Sequence, residues 1–148
     1  MNHIKSIIKR RFRSEYFPED IFFDANKVCV KTKNIELLDG EEVIVTIDNE
    51  PGTEIVDCCM LTDKRIIFVK GNEVHSVNYD DIKHIELPHI KIDSNKHYED
   101  LRMNITDKTN IHLINGDIQE IRIIYGGIYQ LGNFSRRWWQ SKFDDEAK

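Results

Sequence analysis

The chain has 148 residues, enough for one domain with its own core, and its high charged fraction suits a folded chain with a solvated surface. A net charge of −5 argues against nucleic acid, whose binders carry a basic footprint. No apolar run approaches the roughly 18 residues of a membrane-spanning helix, and charges interrupt the apolar positions of the first residues, which therefore do not read as a secretory h-region.

The spacing of Ile4, Ile7, Ile8 and Phe12 predicts an amphipathic helix over residues 3–13. Lys5, Lys9, Arg10, Arg11 and Arg13 crowd its remaining faces. Residues 1–13 hold five basic side chains and no acidic one, against 16 basic and 26 acidic in the rest. Two uses of this asymmetry compete. The apolar face docks on the chain's own domain while the basic residues meet its acidic body, or the helix contacts an anionic membrane or a partner protein. Acid-free, Arg-rich ends also occur in transit peptides.

Residues 17–37 read two ways. Pro18, Glu19 and Asp20 resemble a helix start leading into Ile21, Phe22 and Phe23, while Val28 and Val30 alternate as in a strand. Strands are then expected over 42–48, 55–61 and 65–69, with a turn at 49–52 and another at Lys70, Gly71 and Asn72. Val74 and Val77 mark a further strand, Asp80 and Asp81 break it, and Ile82, Ile85 and Leu87 resume.

Residues 93–100 read as a polar loop. Leu101, Met103 and Ile105 alternate as a strand. Ile111, Leu113, Asn115-Gly116, Ile118, Ile121 and Ile123 read as a hairpin with a type I′ turn, which needs positive φ at both central residues. After Gly126 and Gly127, the residues Ile128, Leu131, Phe134 and Trp138 fall at helical spacing. Trp138 is expected on the face shared with Leu131 and Phe134, with Trp139 and Phe143 flanking and Gly132 weakening the helix.

The segments LDGE (38–41), LTDKRIIF (61–68) and VNYDDIKHIEL (77–87) together resemble bacterial PH-like and GRAM-like domains. The resemblance covers roughly residues 38–143. It implies a mainly β (α+β) fold, a bent antiparallel barrel of about seven strands closed by a C-terminal helix. Residues 1–37 become an N-terminal helical extension and 144–148 a tail. In lipid-binding relatives the first two strands and their loop supply clustered basic residues. Here that loop, DNEPGTE (48–54), is acidic and would repel anionic head groups.

No catalytic constellation appears. Ser76, Ser94, Ser135 and Ser141 lack a nucleophile-elbow context, and no glycine loop fits a phosphate fingerprint. His75, His84, His89 and His112 do not reproduce a metal-ligand spacing. Cys29, Cys58 and Cys59 are an odd set without metal spacing. They read as reduced thiols, with Cys58 and Cys59 on opposite faces of a strand. Arg136, Arg137, Trp138 and Trp139 mix charge and aromatics, as at an interface. The resulting expectation is a non-enzymatic cytoplasmic binding or scaffolding module. It has no cofactor or metal and takes a protein partner, an edge strand offering one recognition mode. The alternative is a peripheral membrane module using the basic helix. A small enzyme with scattered site residues is the third reading.

Overall fold

Short β-branched runs between glycine turns favour antiparallel pairing, and the computed structural model is mostly β. It describes residues 3–12, 21–24, 27, 29–86, 106–124, 131 and 134–138. Among the described residues, two antiparallel sheets, of five and three strands, are accompanied by short helices. The chain divides into two compact units between Asp80 and Asp81, where the sequence reading placed no boundary.

The first unit opens with helix α1, His3–Arg11. Its apolar face is buried, with Ile8 at 0% exposure and Ile4, Ile7 and Phe12 at 7% or less. The helix packs on the strand Val43–Asp48. At about 1.5–3 kcal/mol per large apolar side chain, this burial dominates what the helix gains from charge. Of the two uses foreseen for α1, the structure therefore realises docking on the chain itself.

Five strands follow: β1 Phe22–Asp24, β2 Val43–Asp48, β3 Asp57–Thr62, β4 Arg65–Lys70 and β5 Glu73–Asn78. Their order in the sheet is β1-β2-β3-β4-β5. Both readings of residues 17–37 need correction. Phe22 and Phe23 belong to a strand, paired with Ile47 and Thr46, rather than to a helix. Val30–Thr32, expected within a strand, is a 3-10 turn. Strand β1 thus draws part of the supposed helical extension into the sheet. Three residues are too few to display a strand period. Pairing with β2 fixes them instead, extended by the bond from Asp48 N to Ile21 O at 2.9 Å. The expected helix start at Pro18–Asp20 lies outside the described residues, as does Val28.

Register sorts the sheet into two faces. Thr46, Asp48, Cys58, Met60, Ile67 and Val69 share one; Val45, Ile47, Cys59, Leu61 and Ile66 share the other. Both are buried through β2 and β3, so these strands show little polar alternation. Strand β5 lies at the edge and buries only Val77, the partner of Ile66. Lys70 pairs with Glu73 across a two-residue turn. There Gly71 takes φ 60° and Asn72 does not turn positive, the pattern of a II′ hairpin.

The second unit contains β6 Ile82–Ile85, β7 Thr106–Leu113 and β8 Ile118–Ile124. A register shift between Ile82 and His84 lets Ile82 and Ile85, three apart, both be buried. The β7–β8 hairpin differs from the expected I′ turn. Gly116 alone has positive φ, at 95°. Gly116 N donates to Leu113 O at 3.0 Å and Leu113 N to Asp117 O at 2.9 Å, which encloses a three-residue loop. The side chain of Asn115 accepts from Asp117 N at 2.9 Å instead of driving its own backbone left-handed.

Residues 134–138 are helical. Leu131 and Phe134 are at 0% exposure, but Trp138 is only half-buried, so the expected shared face ends before the tryptophan. Leu87, the 93–100 loop, the strand at Leu101, Met103 and Ile105, Gly126, Gly127, Ile128, Gly132, Trp139, Phe143 and the tail lie outside the described residues.

Candidate binding pocket beside Cys29

The segment 29–37 crosses the first face of the five-stranded sheet. Its apolar members Cys29 and Ile35 pack with Cys58, Met60, Ile67 and Val69. A charged tether fixes one end. Lys31 Nζ reaches Asp48 at 2.9 Å and donates to Glu50 O at 2.9 Å. Asp48 also accepts from Glu50 N at 2.9 Å, so the buried carboxylate is paired twice over. The loop whose acidity was counted against lipid binding thus spends one of its carboxylates internally.

Between this segment and the sheet lies a half-open cavity of about 200 Å³. Ile35, Val43 and Met60 give it an apolar floor, and Cys29 lines it. Leu37 borders it and is exposed, next to exposed Leu38. Asp24, Lys27 and Lys33 stand at its mouth, all exposed, with Lys27 lying 5.0 Å over the Phe23 ring.

The thiols behind the cavity are not equivalent. A hydrogen bond from Cys58, the N–H of Lys31 and the hydroxyl of Thr32 together outweigh burial and bring Cys29 down to about 6. The same contact with Cys29, and then burial, push Cys58 up. Cys59, on the other face, is pushed up by burial and by Asp57.

The residues that carry the family resemblance meet in a second place. Glu41, whose side chain is at 0% exposure, accepts from Arg65 Nε and Nη2 at 3.0 Å each. It also accepts from Thr62 Oγ1 at 2.6 Å and Leu38 N at 2.9 Å. Tyr79 donates its hydroxyl to Thr62 O at 2.6 Å, and Glu42 N donates to Asp63 Oδ1 at 2.9 Å. Burial raises the Glu41 pKa, but Arg65, Thr62 and Leu38 hold it below the ordinary carboxylate value. Every oxygen of Glu41 is occupied by the protein, so this network locks turns and strands together and leaves no group over for substrate.

In the second unit, His112 Nε2 lies 2.7 Å from Glu86 Oε1, and Asn110 Nδ2 donates to Glu86 Oε2 at 3.2 Å. His84 stacks on His112 with ring centroids 4.2 Å apart. Reading β6 and β7 separately missed this pair, because only their register sets His84 opposite His112. Among the described residues no group of three His, Cys, Asp or Glu side chains is arranged to hold a metal ion.

The expected contact residues fall in different units. Lys5 pairs with Glu42 at 2.8 Å. Lys9, Arg10 and Arg11 are exposed at the end of α1, and Arg13 lies outside the described residues. Arg136 and Arg137 are exposed on the second unit's helical segment. The pocket went unread because its wall is a 3-10 turn without a periodic signature. No helix among the described residues is long and apolar enough to cross a membrane.

Set against known proteins, the chain matches no family model, no curated protein and no solved structure.

Proposed function

We propose that this chain is a non-enzymatic, PH-like binding module that takes an extended, acidic segment of a protein partner at the Cys29 pocket. The observation that carries this reading is the pocket: an apolar floor, exposed Leu37 at its side, and two lysines against one aspartate at its mouth. Its volume, about 200 Å³, lies below the roughly 300–1,000 Å³ usual for small-molecule sites, and suits one or two inserted side chains. An apolar anchor flanked by Asp or Glu would match both floor and rim.

The PH-like part of the proposal would make the strands one bent barrel with residues 134–138 in its closing helix. It is supported by the antiparallel strands and by the convergence of Glu41, Thr62, Arg65 and Tyr79 on one network. A cytoplasmic setting is supported by three free thiols. A second reading, attachment to an anionic membrane surface, draws on exposed Lys9, Arg10 and Arg11. With the apolar face of α1 buried, that attachment would be electrostatic and lost in salt.

Selection from a random peptide library on the immobilised chain tests the first reading. Enriched peptides should pair a large apolar residue with Asp or Glu. Lys27→Glu/Lys33→Glu and Leu37→Asp chains should each lose them. No enrichment, or enrichment indifferent to all three substitutions, would defeat it.

A further inference from the structure

We propose that Cys29 and Cys58 form a redox-responsive pair, which a peroxide closes to a disulfide with Cys29 as the attacking sulfur. The inference stands apart from the peptide-binding reading, since it concerns only the two thiols and its test uses no peptide.

Placement assigns the roles. Cys29 sits just before the Val30–Thr32 turn, packed onto the sheet face that carries Cys58. The two side chains pack in one buried cluster. Cys29, at 5% exposure, lines the half-open cavity, which gives a small oxidant such as hydrogen peroxide its approach to this residue. Cys58 is at 1% exposure and does not line the cavity, so it meets Cys29 before it meets solvent. Cys59 is adjacent in sequence but lies on the opposite face, paired with Phe68 and Ile47. Chemistry agrees with placement. The thiolate is the nucleophile, and Cys29 is the thiol brought down to about 6.

The steps balance with peroxide as oxidant. The Cys29 thiolate attacks one peroxide oxygen, an S–O bond forms, and the O–O bond breaks. The departing hydroxide takes a proton and leaves as water. Cys29 is now a sulfenic acid. The Cys58 sulfur then attacks the Cys29 sulfur, the S–O bond breaks, and hydroxide leaves with the Cys58 proton as a second water. Two thiols have lost two electrons and two protons, and peroxide has been reduced to water. An external thiol reverses the result by exchange at the disulfide.

The test treats the full chain with hydrogen peroxide, followed by intact mass measurement and tryptic mapping without reductant. The Cys59→Ala chain should lose the mass of two hydrogens and yield a peptide containing Cys29 joined to one containing Cys58. Dithiothreitol should restore both. Cys29→Ser, at a position on the cavity wall and checked for fold by circular dichroism, should form no cross-link. Alkylation of Cys29 by iodoacetamide should rise with a midpoint below the ordinary 9.0. Progressive oxygen addition at Cys29 without a cross-link, a Cys29–Cys59 bridge in the unaltered chain, or thiols untouched by peroxide that oxidises glutathione would overturn the pair. A midpoint near 9.0 would overturn Cys29 as the attacking sulfur.

Discussion

Arg65 grips the buried Glu41 with two nitrogens, Nε and Nη2, each 3.0 Å from a different carboxylate oxygen. The two residues stand 24 positions apart, one before β2 and the other opening β4. A planar guanidinium suits this two-point contact, which a lysine could not reproduce.

Removing one partner leaves a charge buried alone. Arg65→Ala should destabilise the chain by about 3–5 kcal/mol in urea unfolding. Glu41→Gln should cost less, because the amide keeps an oxygen acceptor and the charge left unpaired, on Arg65, is 15% exposed where the Glu41 carboxylate is at 0%. A smaller loss for Arg65→Ala than for Glu41→Gln would contradict this account of the network.

The same carboxylate gives a dependence on pH. Glu41 ionises more readily folded than unfolded, so it contributes stability above its ordinary pKa of 4.5. That contribution is lost as pH falls below 4.5 and through the lower folded value. Denaturant midpoints taken from neutral pH downward should drop less steeply in Glu41→Gln than in the unaltered chain. Parallel curves would show that Glu41 is not responsible.

Helix α1 should behave as part of the core. Ile8→Ala should cost about 2–5 kcal/mol, since the side chain is at 0% exposure. Lys5→Ala should cost at most about 1 kcal/mol, because its partner Glu42 is half exposed. Removing residues 1–12 should lower the melting temperature with little influence of salt. Unchanged melting together with salt-sensitive sedimentation on anionic vesicles would favour the membrane reading instead.

In the C-terminal helical segment, Phe134→Ala should be the damaging change, at about 3–5 kcal/mol, and Trp138→Ala the milder one. Thermal melts of the two variants decide the order. A larger loss at Trp138 would place the buried face one turn later.

His84 should titrate below 6.5, because burial and then the neighbouring His112 disfavour its charged form. In an NMR titration its midpoint should rise toward 6.5 in His112→Ala. A midpoint that ignores that substitution would rule out coupling across the stacked rings.

Features that depend on near neighbours along the chain were legible before folding. The apolar stripe of α1, the strands around Arg65–Lys70 and the glycine turn at Gly71 follow from side-chain period and backbone freedom. The chemistry of the resembling motifs was legible too, as an acid, a threonine and an arginine in order. Tertiary structure decided what these residues touch. It made a strand of Phe22–Asp24, which had no period of its own, by pairing it with β2. It gave the Asn115-Gly116 hairpin a three-residue loop, because Asn115 found a backbone N–H to bind. It set His84 against His112 through a shifted register, and laid Cys29 over Cys58. Periodicity reports neighbours within a few positions along the chain. Partners across a sheet, or between a loop and a sheet face, depend on register and on which surface is covered, and those are set only when the elements pack.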